Sequence, residues 1–108
     1  MARWIVMGFT DCADPARDAE YNEWYDNIHV PDVLKAPGVM RATRYHNIDP
    51  EGGPGKYLSL LEIESDNIDQ TIADLRAHLG RLQAAGRFTD LLVDVSFVVY
   101  RELGSQSR

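Results

Sequence analysis

Along this chain the spacing of apolar residues switches repeatedly between the period of a strand and that of a helix, and the order of those switches restricts the fold more than any single residue does. Trp4-Ile5-Val6-Met7-Gly8-Phe9 is a continuous run of β-branched and aromatic residues, the pattern of a buried strand. Asp14 then sits where a helix cap is wanted, Pro15 suits the first helical position, and Asp18 and Glu20 place negative charge near the helix's positive end. Tyr21, Trp24, Tyr25 and Ile28 follow at i, i+3, i+4 and i+7, so one face of this first helix is aromatic and apolar. Pro31 disfavours helical geometry at Val30, which predicts a kink or an end there, with Asp32 to Lys35 as a short extra turn before Pro37-Gly38.

The next two segments return to the strand pattern. Val39 to Ile48 mixes Thr, Tyr and Val with basic residues, and Lys56 to Ile63 forms the second arm of a hairpin across the turn-rich stretch Asp49-Pro50-Glu51-Gly52-Gly53-Pro54-Gly55. From Ser65 the helical period resumes, with Ile68, Ile72, Leu75, Leu79 and Leu82 on one stripe and Gly86 placed to end it. Leu91 to Tyr100 alternates apolar residues with Asp94 and Ser96 as a last strand. The order is therefore β-α-β-β-α-β, and right-handed crossovers put both helices on one face of a four-stranded antiparallel sheet. This is an α+β, ferredoxin-like arrangement, expected over residues 1–104 as a single domain with a polar tail at 105–108.

At 108 residues, the chain buries only about two thirds of its unfolded surface, which makes a shared core attractive. Several strands carry apolar residues at both parities, such as Val6 against Ile5 and Met7, and Val95 against Val98 and Tyr100. An uncovered apolar sheet face of this kind marks an interface, so a homodimer with its sheets paired face to face is expected.

Charge and cysteine content exclude other classes. Eleven Lys and Arg against 17 Asp and Glu give a net charge of −6 with no basic run, which speaks against a nucleic-acid partner. The apolar start is too short to span a membrane and lacks a small-residue cleavage site, and the single Cys12 suits a reducing compartment; a cytoplasmic protein without membrane contact is expected. Gly52-Gly53-Pro54-Gly55 lacks the Lys-Ser/Thr and the strand-to-helix setting of a phosphate loop. Three histidines on three elements make no metal site by spacing, so neither metal nor cofactor is expected.

The segment Asn22 to Asp32 holds the densest set of functional side chains. Trp24-Tyr25-x-x-x-His29-x-Pro31-Asp32, followed by Pro37-Gly38-Val39 and the basic, aromatic strand Arg41 to Tyr45, resembles the dimeric α/β-barrel superfamily in its ethyl tert-butyl ether degradation (EthD)-like branch. The resemblance implies a homodimer with one pocket per subunit between the sheet and the first helix, the helix histidine at His29 and its aromatic neighbours at Trp24 and Tyr25. It implies a range of activities: dehydratases and decarboxylating enzymes acting on polyketide-derived aromatics, cofactor-free monooxygenases, lactone isomerases and haem-binding enzymes.

Two roles fit His29 at this level. Its ordinary pKa of about 6.5 suits proton transfer near neutrality, with Asp32 three residues on to orient the ring and Tyr25 four residues back to share its face. Alternatively it caps the carbonyls at the end of the first helix. Trp24 and Tyr25 either wall an apolar pocket or belong to the core. Arg44 and His46 share one parity of the second strand and Arg41, Thr43 and Tyr45 the other, so whichever set faces the pocket contributes to substrate binding; an arginine there suits an anion or phenolate. His78, four residues after Asp74, reads as a surface residue with at most an ion-pair partner. The expected function is a small cofactor-independent enzyme, a lyase or isomerase acting on a hydrophobic, aromatic or polyketide-like molecule. His29, Asp32 and Tyr25 would be catalytic, and Trp24, Arg44 and His46 would bind the substrate. A cofactor-free or haem-dependent monooxygenase and a noncatalytic ligand-binding accessory dimer are the competing readings.

Overall fold

A computed structural model describes residues 1–49 and 51–108; Pro50, within the expected hairpin loop, lies outside the described residues. Strands β1 (Ala2–Cys12), β2 (Val39–His46), β3 (Tyr57–Ser65) and β4 (Leu92–Arg101) form one sheet in the order β2-β3-β1-β4, with every neighbouring pair antiparallel. The helices are α1 (Asp18–Trp24), α2 (Val30–Val33) and α3 (Ile68–Ala84). The chain thus has the expected α+β, ferredoxin-like architecture.

Strand parity explains how the layers divide. Tyr57, Ser59, Leu61, Ile63 and Ser65 alternate along β3 as its buried face. Their partners Thr10, Gly8, Val6 and Trp4 on β1 share that face, as do Ala42, Arg44 and His46 on β2. Val6, Leu61 and Ile63 pack there against Val33 and Leu75 from the helices, and Leu75 is fully buried. Beneath α1 a second cluster gathers Tyr21, Tyr25, Tyr57 and Leu91, with the Tyr21 hydroxyl 2.6 Å from Thr10 Oγ1. The opposite face of the sheet carries Ile5, Met7, Phe9, Leu58, Leu60 and Tyr45 and is left uncovered by this chain.

The caps follow the sequence. Asp14 accepts from the Ala16 backbone N–H at 3.1 Å ahead of a short 3-10 turn, Pro15–Arg17, that leads into α1. Gly86 takes φ +74° after α3, and the Arg87 N–H reaches the Leu82 carbonyl at 3.0 Å, a closure that needs a left-handed residue.

The first helix departs from expectation at Pro31. It neither ends nor breaks there: residues Tyr25–His29 form a π-helical turn, and α2 continues through Pro31 to Val33. The Val30 N–H bonds to the Tyr25 carbonyl five residues back, and Pro31 follows as the start of a new helical turn, where its missing N–H costs nothing.

Candidate functional site

The π turn decides which side chain the first helix delivers to the interior. One additional residue in a turn rotates everything after it by about 100°. In an uninterrupted α-helix Ile28 would continue the stripe of Tyr21 and Tyr25; here Ile28 is 36% exposed and His29 takes its place at 8%. The amphipathic pattern therefore placed the right helix but rotated its last turn by one residue. Such insertions are common at functional sites.

The His29 ring sits in an aromatic frame. Trp24 stacks on it with centroids 4.8 Å apart, while Tyr25 at 4.9 Å and Phe88 at 5.2 Å meet it edge-on. Among the described residues no hydrogen bond is made to the ring, and because the helix runs on to Val33 there are no terminal carbonyls for His29 to cap. Burial, reinforced by the Arg44 charge and opposed by Asp32, lowers its pKa to about 4. At neutral pH the imidazole is uncharged and able to accept a proton or a hydrogen bond.

A cavity of about 530 Å³ lies beside it, between α3, the turn carrying Phe88, and strands β1 and β4. It adjoins a narrow recess of about 80 Å³ that shares Gly8, His29, Leu79, Asp94 and Phe97 with it and reaches Ser59 on the sheet floor. Gly8 helps to make this space. A Cβ there would meet only the Ser59 carbonyl, at 3.8 Å, so an added methyl would project over the floor without disturbing the backbone.

The remaining candidates divide between this cavity and its supports. Tyr25 is buried behind His29; burial pushes its phenol above the ordinary range, Ser59 and Arg44 draw it back, and Asp94 pushes it further up. Arg44 lies on the helix-facing parity but turns its guanidinium over the Tyr25 ring, 4.2 Å from the centroid, and pairs with Asp26 at 2.8 Å. Trp24 donates its indole N–H to the Arg87 carbonyl at 3.0 Å.

Asp32 is buried, yet its carboxylate serves another partner: Arg87 donates to it through Nε at 2.9 Å and Nη2 at 3.1 Å, which holds the carboxyl below the usual carboxylate range. It makes no hydrogen bond with His29. Its backbone carbonyl accepts from His78 Nε2 at 2.7 Å, so His78 is a tie between α2 and α3, not a free surface residue. His46 is exposed, stacks on Tyr57 at 5.3 Å, and lines a separate hollow of about 620 Å³ at the β2–β3 loop that shares no lining residue with the His29 cavity. The structure thus brings together His29, Tyr25 and Trp24, sets Asp32 and Arg44 behind them, and leaves His46 apart. Gly8, Ser59, Phe88 and Asp94 join the site without having been singled out; only Asp94 left a visible signal, as the one carboxylate in the last strand. Among the described residues no group of three or more His, Cys, Asp or Glu is placed to hold a metal ion, and no helix is long and apolar enough to cross a membrane.

Comparison with solved structures places this architecture. HapK from Hahella chejuensis superposes with a TM-score of 0.68 at 19% identity, covering 97% of this chain and 97% of that one. The monooxygenase ActVA-Orf6 of Streptomyces coelicolor, solved in complex with nanaomycin D, gives 0.59 at 19% identity over 99% of this chain and 92% of that one. An EthD family protein from Bacillus halodurans gives 0.54 at 18% over 95% and 100%. No protein-family model matches the chain, and a search of curated proteins finds no match. At these identities the likeness establishes the fold alone: a ferredoxin-like fold, shared with an EthD family protein and with a dimeric ferredoxin-like protein from Thermobifida fusca.

Proposed function

We propose that this chain is a small cofactor-independent enzyme that binds a hydrophobic, aromatic or polyketide-like molecule beside His29 and starts its reaction by moving a proton to that residue. The observation that supports this best is a buried, uncharged imidazole that borders a cavity and has no hydrogen-bond partner among the described residues. A neutral His29 accepts a proton from a ligand C–H or O–H, and the resulting imidazolium, disfavoured by its burial, readily returns the proton. Delivered to a departing hydroxyl the proton completes a dehydration; delivered to another atom of the ligand it completes an isomerisation or cyclisation. Trp24 and Tyr25 wall the ring's position, Arg44 fixes Tyr25, and Asp32 anchors the turn that carries Phe88.

A second reading, a cofactor-free monooxygenase, draws on the ActVA-Orf6 likeness. It uses the same first step, because removing a proton from a phenolic ligand makes it electron-rich enough to meet oxygen. The assembly belongs to the proposal too: two copies pairing their uncovered sheet faces, in the cytoplasm, where the lone Cys12 stays reduced.

The test is a turnover screen of phenols, quinones and lactones with oxygen consumption followed in parallel, using the wild type and His29→Phe. Product without oxygen uptake, lost in the folded variant, is expected; oxygen uptake would select the second reading. Unchanged turnover by the variant would refute His29, and tight binding without turnover by either protein would identify a ligand-binding accessory.

A further inference from the structure

We propose that Asp94 is the second functional group of this cavity, a carboxylate that accepts a hydrogen bond from a ligand hydroxyl and so fixes which ligand atom His29 meets. The inference rests on the reading of the His29 cavity as an enzyme's ligand site.

The local backbone is the first argument. Phe97 pairs with Gly8 and Ser96 with Phe9, but Thr10 pairs with Asp94, so Val95 is an extra residue in β4. Strict alternation from the helix-facing Phe97 would turn Asp94 to the outer face together with Ser96. The bulge at Val95 reverses that parity and sets Asp94 opposite the helix-facing Thr10. Re-aiming one side chain is a recognised use of a bulge beside an active site.

The second argument is the company Asp94 keeps. It is the one carboxylate lining either part of the cavity. Asp94 is exposed where it lines the cavity and makes no ion pair or hydrogen bond among the described residues, so its carboxylate is free to meet a ligand. Arg76, which borders the same space, stacks on the Phe97 ring at 4.6 Å instead. With His29 uncharged and Ser59 on the floor, the inner polar groups are rich in acceptors. A ligand hydroxyl gives Asp94 a charge-assisted bond in place of water, whereas an ether or carbonyl oxygen would set lone pairs against it and displace that water without replacing its bond. Asp94 would thus select a hydroxylated ring over its alkylated counterpart.

Calorimetric titration with 1-naphthol and 1-methoxynaphthalene reads this selection directly. The wild type is expected to prefer 1-naphthol by about tenfold. In Asp94→Ala and Asp94→Asn, checked for folding by circular dichroism, the preference should fall to within about twofold, chiefly through weaker naphthol binding. Equal binding of the two compounds by the wild type, or a preference that survives Asp94→Ala, would overturn the role of Asp94 while leaving the ligand site standing. Failure of the wild type to bind either compound would overturn the cavity reading and Asp94 with it.

Discussion

His29 is stabilised by rings alone, so its charge state follows its burial, and that has a measurable consequence for folding. Its pKa of about 4 in the fold lies below the ordinary 6.5, so as pH falls below 6.5 the unfolded chain takes up the proton first. Stability that is intact above pH 6.5 is lost progressively toward pH 4, by about 3 kcal/mol in all. Urea midpoints measured at pH 7.5 and 4.5 should drop more in the wild type than in His29→Phe, which keeps the aromatic frame and removes the titration; equal drops would contradict the buried neutral ring. Gly8 makes a complementary case. Its backbone takes no left-handed angle and a Cβ finds only ordinary contact, so Gly8→Ala should fold at least as well as the wild type. The same substitution should weaken ligand binding by about tenfold or more, because it occupies the floor of the site. A stable variant with unaltered binding would place the ligand elsewhere.

Among elements, the π turn and the Arg87 contact hold the site's geometry. Arg87 follows the glycine stop of α3 and reaches back to both oxygens of Asp32 on α2, while its carbonyl takes the Trp24 indole. Replacing it with methionine removes both hydrogen bonds to a buried carboxylate, leaving it only the Lys35 ammonium at 3.9 Å, and frees the turn that presents Phe88 to His29. Arg87→Met should therefore melt on the order of a few degrees lower at pH 7. Asp32 is held below its ordinary 3.8 by Arg87, so this pair stabilises the fold above that pH and the contribution fades as pH falls through it. The gap between variant and wild type should accordingly narrow below pH 4; a gap that persists there would mean that the methionine acts through packing. The helix itself was legible from Asp14, Pro15 and the aromatic stripe. Its last turn was not, because a single inserted residue changes the phase without changing composition, and Pro31 marks a boundary equally well for a helix that stops and for one that restarts.

At the scale of the whole molecule, the sheet has one face covered by helices and one that is not. Met7 and Leu60 are cross-strand neighbours on the uncovered face, flanked by Ile5, Phe9 and Leu58. Light scattering at micromolar concentration should report twice the chain mass, and Met7→Asp, which sets a charge in the middle of that face, should halve it; a monomeric wild type would refute sheet-to-sheet pairing. The sequence by itself determined the order of elements, their antiparallel sheet and the helix that carries His29, because each rests on local periodicity and on caps that act over a few residues. Tertiary structure alone decided that His29 and not Ile28 points inward, that Asp32 is spent on Arg87, that Arg44 lies under tyrosines, and that a bulge turns Asp94 into the cavity. These are matters of helix phase and strand register, which one inserted residue resets and which only the packing of neighbouring elements selects.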